Sequence, residues 1–210
     1  MMPTEPGIGL GILSDRLQRL IRLDTAVFDE VRDDPSATVP SFLVAAAATL
    51  LAGVGGWLWW LVHGFDDGSK VLLMSTFVGS FFSLAFWLLW LAITWLILTQ
   101  FYRQEADWQQ MLRTMGMASA PLAISLGMII PGIDMGVALA SIALFFGLTT
   151  IAVQVVTPAS PAQVLTANLA GFAVWAIALG LLATSDTPLA PGIFLIDAAS
   201  EELSEIVGAF

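Results

Sequence analysis

The chain has 210 residues, is 58% hydrophobic and only 11% charged, and carries a net charge of −10. Soluble domains typically hold about 25% charged residues, so this chain is too poor in polar surface to cover itself in water, and a bilayer is the solvent its composition fits. The acidic balance argues against a nucleic-acid partner; the lack of cysteine removes disulfides, thiol nucleophiles and thiolate metal sites, and the lone His63 removes His-rich metal motifs.

The first eleven residues contain no Lys or Arg and lead into no short apolar run with a cleavage site, so no cleaved signal peptide is expected. Leu10–Leu13 reads as a Gly-containing loop. From Leu13 to about Arg32 the pattern predicts one amphipathic helix, with Leu13, Leu17, Leu20, Ile21, Val27, Phe28 and Val31 on one face and Arg19, Arg22, Asp29 and Glu30 on the other. Asp33-Asp34-Pro35 ends it, because proline disfavours helix at the residue before it. Such a helix is expected along the cytoplasmic interface, its apolar face in the headgroup boundary or against the bundle. Asp24 is the one polar residue within its apolar stripe. It is read either as a carboxylate reaching to water or as a docking contact for Arg103 or Arg113. Asp33-Asp34 beside Asp29-Glu30 read as solvated carboxylates, with a cation site as the alternative.

Five apolar stretches follow, which suggest crossings of the roughly 30 Å hydrocarbon layer. They are expected at about 40–62, 71–99, 115–130, 136–156 and 162–183. Pro40 falls in a first helical turn, where its missing N–H is harmless. The third stretch is short and contains Pro121. A re-entrant third-to-fourth hairpin, leaving three crossings, therefore stands as an alternative. Trp57, Trp59 and Trp60 read as an aromatic belt at the far end of the first span, with His63 beside them. The apolar run from Ile193 is too short to cross; beyond it Leu203, Ile206, Val207 and Phe210 predict a short amphipathic helix, with Glu201, Glu202 and Glu205 off its stripe.

Arg16, Arg19, Arg22 and Arg32 precede the first span and Arg103 and Arg113 lie between the second and third, against Lys70 alone between the first and second. The positive-inside rule then predicts a multi-pass protein of the cytoplasmic membrane, N-terminus cytoplasmic and C-terminus outside. The expected organisation is all-α: a cytoplasmic segment over 1–35, a five-helix membrane domain over 36–185, and an extracytoplasmic acidic tail over 186–210.

No Lys, Arg, Asp or Glu falls inside a span, which argues against a proton relay or cation pathway. Gln154 and Asn168 are the intramembrane polar residues singled out, expected to bond between helices. Small residues at four-residue spacing (Ala45, Thr49, Gly53; Ala48, Ala52, Gly56; Ser75, Gly79, Ser83) predict close helix approach within the chain, with a homo-oligomer face as the alternative. No Walker loop, nucleophile elbow, zinc motif or dinucleotide fingerprint occurs. Neither catalysis, a cofactor nor a metal is expected.

Several fragments resemble, in order and spacing, the prokaryotic form of the Yip family of membrane proteins, named for interaction with Ypt/Rab GTPases. They are Leu23-Asp24-Thr25-Ala26-Val27-Phe28-Asp29-Glu30-Val31-Arg32-Asp33-Asp34-Pro35, then Trp108-Gln109-Gln110-Met111-Leu112-Arg113 with Gly116, Ala118 and Pro121, then Ile130-Pro131-Gly132 and Ala152-Val153-Gln154. The resemblance, over about 23–182, implies five membrane helices, a cytoplasmic N-terminus and no catalytic activity. It marks Asp24, Asp34, Pro35, Gly116 and Pro121 as family-motif positions. The Asp-Leu-Tyr-Gly-Pro element of eukaryotic members is absent, as is the basic residue of the fourth-to-fifth loop, so Rab-type GTPase binding is not carried over. The reading is a scaffolding or membrane-organising protein acting through lipid or other membrane proteins, with small-solute or lipid permeation as the alternative.

Overall fold

A computed structural model describes residues 9–64, 67–184 and 188–195. Among these, seven helices form and no strand: α1 (Leu10–Ile21), α2 (Val27–Asp33), α3 (Thr38–Val62), α4 (Gly68–Phe101), α5 (Trp108–Ile129), α6 (Asp134–Gln154) and α7 (Pro161–Leu182). Helices α3 to α7 are long and apolar enough to cross a bilayer, and the chain is a multi-pass membrane protein. Their outward faces carry large apolar side chains, Phe81 at 68% and Leu181 at 75% exposure among them. Lipid solvates such a surface; water does not.

The spans close into a ring. Helix α3 packs on α4 and α5, α6 packs on α5 and α7, and α4 packs on α7. The interior is filled by aromatic rings from three helices: Trp90 lies 5.0 Å from Phe145 and 5.3 Å from Phe172, and Phe145 lies 5.6 Å from Trp175. The small residues are spent inside the chain. A Cβ on Gly53 would collide with the Thr76 backbone, and Ser80 donates to the Thr49 carbonyl at 3.1 Å. This is the intramolecular packing expected of them.

The third span starts seven residues earlier than its hydropathy indicates. Asp107 caps it by accepting from the Gln110 N–H at 2.8 Å, which stabilises a polar first turn that an apolar window misses. Around Pro121, which lacks the N–H an α-ladder needs, the helix changes type, and residues Ala120–Ile129 wind as a 3-10 helix. With its larger rise per residue, α5 reaches about 35 Å. Length therefore no longer sets the third and fourth segments apart as a short hairpin.

Three further expectations are corrected. The segment 13–32 is not one helix: Leu23 takes a left-handed conformation (φ 59°), and the Asp24 carboxylate accepts the Ala26 N–H at 3.1 Å. A short carboxylate offering the backbone a local bond competes with helix continuation. Arg19 and Glu30 would stand about 16 Å apart along a continuous helix; here they pair at 2.7 Å, because the chain folds back. Leu10–Leu13 belongs to α1 instead of a loop. The tryptophan belt is also an interior feature. Trp59 and Trp60 are 5% and 4% exposed and pack with Val71, Met128, Ala138 and Leu195, while Trp57 donates to the Gly68 carbonyl at 2.9 Å.

Residues 188–195 are part of the bundle. Ser75 donates to the Ala190 carbonyl at 3.0 Å, and Ala190 and Leu195 are fully buried. The acidic helix expected around 201–210 lies outside the described residues.

Candidate functional site

The chemistry of this chain concentrates where the N-terminal pair α1–α2 meets the bundle. Val27, Phe28 and Val31 on α2 and Leu20 on α1 are buried against Val44 of α3, Met117 and Ala118 of α5, and Leu148 and Ala152 of α6. The apolar stripe read from the sequence faces protein over most of α2. On the other face the charges pair: Arg16 with Asp34 at 2.8 Å, Arg19 with Asp24 at 2.8 Å and Glu30 at 2.7 Å, Arg32 with Asp33 at 2.8 Å and Asp29 at 2.9 Å. The carboxylates read as solvated are thus held by arginines. Arg32 also donates to the Val155 carbonyl at the end of α6, at 2.8 Å.

These partners perturb the carboxyls. The Arg19 guanidinium, joined by the Ala26 N–H, holds Asp24 below the usual carboxylate range. Arg32 does the same for Asp33, with Arg113 adding its field. The Ser36 hydroxyl, then Arg16, lower Asp34. Asp34 and Pro35 start the turn Pro35–Ala37 that leads into α3, where the Asp34 carboxylate accepts from the Ser36 hydroxyl at 2.6 Å and the Ser36 N–H at 3.0 Å.

Arg113 is the unexpected member. Helix α5 begins before it, so it sits within a packed helix and is 5% exposed. It donates to the Arg32 carbonyl at 2.7 Å and to the Thr38 hydroxyl at 3.4 Å, and its Nε has no partner. Asp24 therefore does not pair with Arg103 or Arg113; Arg113 docks the segment through backbone instead. Arg103 is exposed, in a left-handed turn (φ 54°) after α4. One turn beyond Arg113, Gly116 lets α5 close on α3: a Cβ there would stand 2.6 Å from the Ser41 carbonyl oxygen. Pro121 is buried at the start of the 3-10 stretch.

Asn168 and Gln154 part company. Asn168 is fully buried, accepts from the Trp90 indole at 2.9 Å and donates to Thr150 at 2.8 Å and Thr149 at 3.2 Å, joining α4, α6 and α7. Gln154 bonds the Ala159 carbonyl at 2.9 Å and ties the α6–α7 turn instead of two spans.

Beside the docked pair lies a cavity of about 570 Å³. Its walls come from α1, Leu23, α3, the 3-10 part of α5, and α6; all fourteen lining residues are Leu, Ile, Val, Ala or Pro. Such a volume falls within the roughly 300–1,000 Å³ of small-ligand sites. No family model, curated protein or solved structure matches the chain.

The arrangement can bind and position; among the described residues no group of three metal-ligating side chains comes together. Sequence reasoning named Arg113 for docking only as a partner of Asp24, and missed its bond to the Arg32 carbonyl and the part of Trp90, Thr149 and Thr150 as partners of Asn168. The spacing Asp107–Gln110 is a helix-start signal that would have placed Arg113 inside the helix. The Asn168 partners carry no such local signal, being brought together only by the ring.

Proposed function

We propose that this chain is a Yip-like, non-enzymatic protein of the cytoplasmic membrane that organises lipid or partner proteins through its N-terminal pair α1–α2. The observation that carries this reading is the docking of α2 on the ends of α3, α5 and α6, with Arg113 bonded to the Arg32 carbonyl. A segment fixed in this way presents the exposed residues Ser14, Asp15 and Gln18 of α1 on a rigid platform. Permeation calls for a polar route reaching mid-membrane. Here Asn168 is fully buried and bonded to the Trp90 indole, and the large cavity has an apolar lining. Those features favour the organising role.

The six arginines stand at the end of the bundle that holds α1 and α2, and Lys70 at the opposite end. In the proposed orientation the arginine end is cytoplasmic. A photo-crosslinker at Gln18, activated in native membranes, should capture a defined neighbour at higher yield than one at Phe81 on the lipid-facing side of α4. Equal, diffuse yields at both positions would defeat the organising role.

A further inference from the structure

We propose that the small cavity where the five spans meet residues 188–195 binds one water molecule, which ties this non-helical strap to the membrane helices. The site goes beyond the organising role and does not depend on it. Three observations lead to it.

The first is the course of the strap. Gly192 lies against the middle of α3, where a Cβ on it would stand 3.6 Å from the Ala52 carbonyl oxygen. Ala52 precedes the last residue of α3, Val62, by ten positions, about 15 Å along the helix. Gly56 of α3 and Gly79 of α4 make room for the strap, since a Cβ on either would collide with the Gly192 nitrogen or the Leu189 carbonyl. Backbone outside a helix is tolerated at such depth only where protein or water satisfies its polar groups.

The second is hydrogen bonding along the strap. The Leu189 N–H donates to the Leu182 carbonyl at 3.2 Å and the Leu195 N–H to the Gly192 carbonyl at 3.1 Å, while the Ala190 carbonyl accepts from Ser75 at 3.0 Å. The N–H groups of Ala190, Gly192, Ile193 and Phe194 find no acceptor among the described residues. Ala190 and Gly192 are buried. A buried N–H is almost always paired, with ordered water where protein offers no acceptor.

The third is the cavity beside them. Its volume is about 20 Å³, above the roughly 10–15 Å³ that one water requires and too small for a larger ligand. Gly192, Ile193 and Phe194 line it, together with Ser83 of α4 and Ser125 of α5. Ser83 is 1% exposed; its carbonyl is held by the Trp175 indole at 3.1 Å, and its hydroxyl has no partner among the described residues. Ser125 shares one bond with Ser141 of α6 at 2.9 Å, so one of these two hydroxyls keeps a proton to donate. The Ser125 hydroxyl stands 4.0 Å from the Cβ position of Gly192, near enough for a water to bridge serine and strap. A water here accepts from a strap N–H and a serine hydroxyl and donates to the other serine, the three or so bonds usual for a buried water. Space for one water is a site and not a route across the bundle.

A crystal structure of the full-length protein grown in a lipidic mesophase, at a resolution that shows ordered waters, tests the site. One spherical peak should lie within about 3.2 Å of the Ser83 hydroxyl, of the Ser125 or Ser141 hydroxyl, and of a strap N–H. No peak between ordered serines, or elongated density there, would overturn the proposal. The double variant Ser83→Ala/Ser125→Ala strips the cavity of hydroxyls, and apolar cavities stay dry. In it the peak should vanish, and the amides of 190–194 should exchange roughly three- to tenfold faster relative to those of α7, the loss of about one hydrogen bond. A peak that survives the double variant, or unchanged exchange, would overturn the tie between strap and spans. If the double variant does not fold, the density in the unaltered protein decides by itself. Failure here leaves the crosslinking test of the organising role unaffected.

Discussion

Replacing Arg113 by Met should loosen α2 from the bundle without unfolding the spans. The guanidinium bond to the Arg32 carbonyl, at 2.7 Å, is short and charge-assisted, and bonds of this kind contribute about 1.5–3 kcal/mol. The Thr38 contact at 3.4 Å is at the limit of a useful hydrogen bond and adds little. Against the loss stands a gain, because the substitution also removes a cation that is 5% exposed and lacks an ion-pair partner among the described residues. Met fills much of the same volume, so no large cavity opens. The net effect on local opening is about 1–2 kcal/mol, which corresponds to roughly a five- to thirtyfold faster hydrogen exchange for the amides of 27–33. Exchange in α7, which Arg113 does not touch, serves as the internal reference. Arg113→Lys should fall between the two, since an ammonium keeps the charge but not the planar fork. Unchanged exchange in α2 for Arg113→Met would refute the docking role and leave Phe28 and its apolar neighbours to hold the segment by themselves.

Asn168→Leu should lower the stability of the folded bundle by about 2 kcal/mol, because three interhelical bonds go and the buried Trp90 indole is left without an acceptor; steric trapping in bicelles measures it, and a neutral result would contradict the three-helix role. Gly116→Ala should destabilise by about 1–3 kcal/mol in the same assay, since the new methyl meets the Ser41 carbonyl at 2.6 Å, whereas Gly180→Ala, with open space around it, should not. Acid should release the N-terminal pair. Asp24, Asp33 and Asp34 titrate below their free values, so the stability they confer is complete at neutral pH and is lost as pH falls from about 4 through the depressed values. Pepsin should then cut within 9–34 at pH 2 faster, relative to a denatured reference peptide, than a pH-tolerant protease does at pH 7; equal protection would show that the ion pairs do not hold the segment.

Hydropathy alone places the spans, because an apolar run of some twenty residues without a charged side chain has one stable environment. The boundaries of α3, α6 and α7 follow within two residues, aided at α7 by Ser160 and Gln163, which form a reciprocal cap. Where the sequence misleads, a local polar interaction outweighs periodicity. The Asp24 side chain and the left-handed Leu23 split one amphipathic pattern into two helices. Asp107 starts α5 within a stretch that reads as loop. Trp59 illustrates a different limit: its position at a span end suits a membrane belt equally well, and only the approach of Asp134, whose carboxylate accepts its indole N–H at 2.8 Å, turns it inward. Of the candidate site, the docked stripe was legible, but the cavity was not, since it is defined by four segments distant in sequence.

Because the chain contains no cysteine, single cysteines at Ser36, Ser69, Gln104, Ser160 and Ser185 can be labelled one at a time in intact cells with a membrane-impermeant maleimide. Five crossings with the arginine-bearing end in the cytoplasm predict labelling at 69 and 185, and protection at 36, 104 and 160 until the membrane is opened. Labelling of position 104 in intact cells, or protection of position 69, would contradict it.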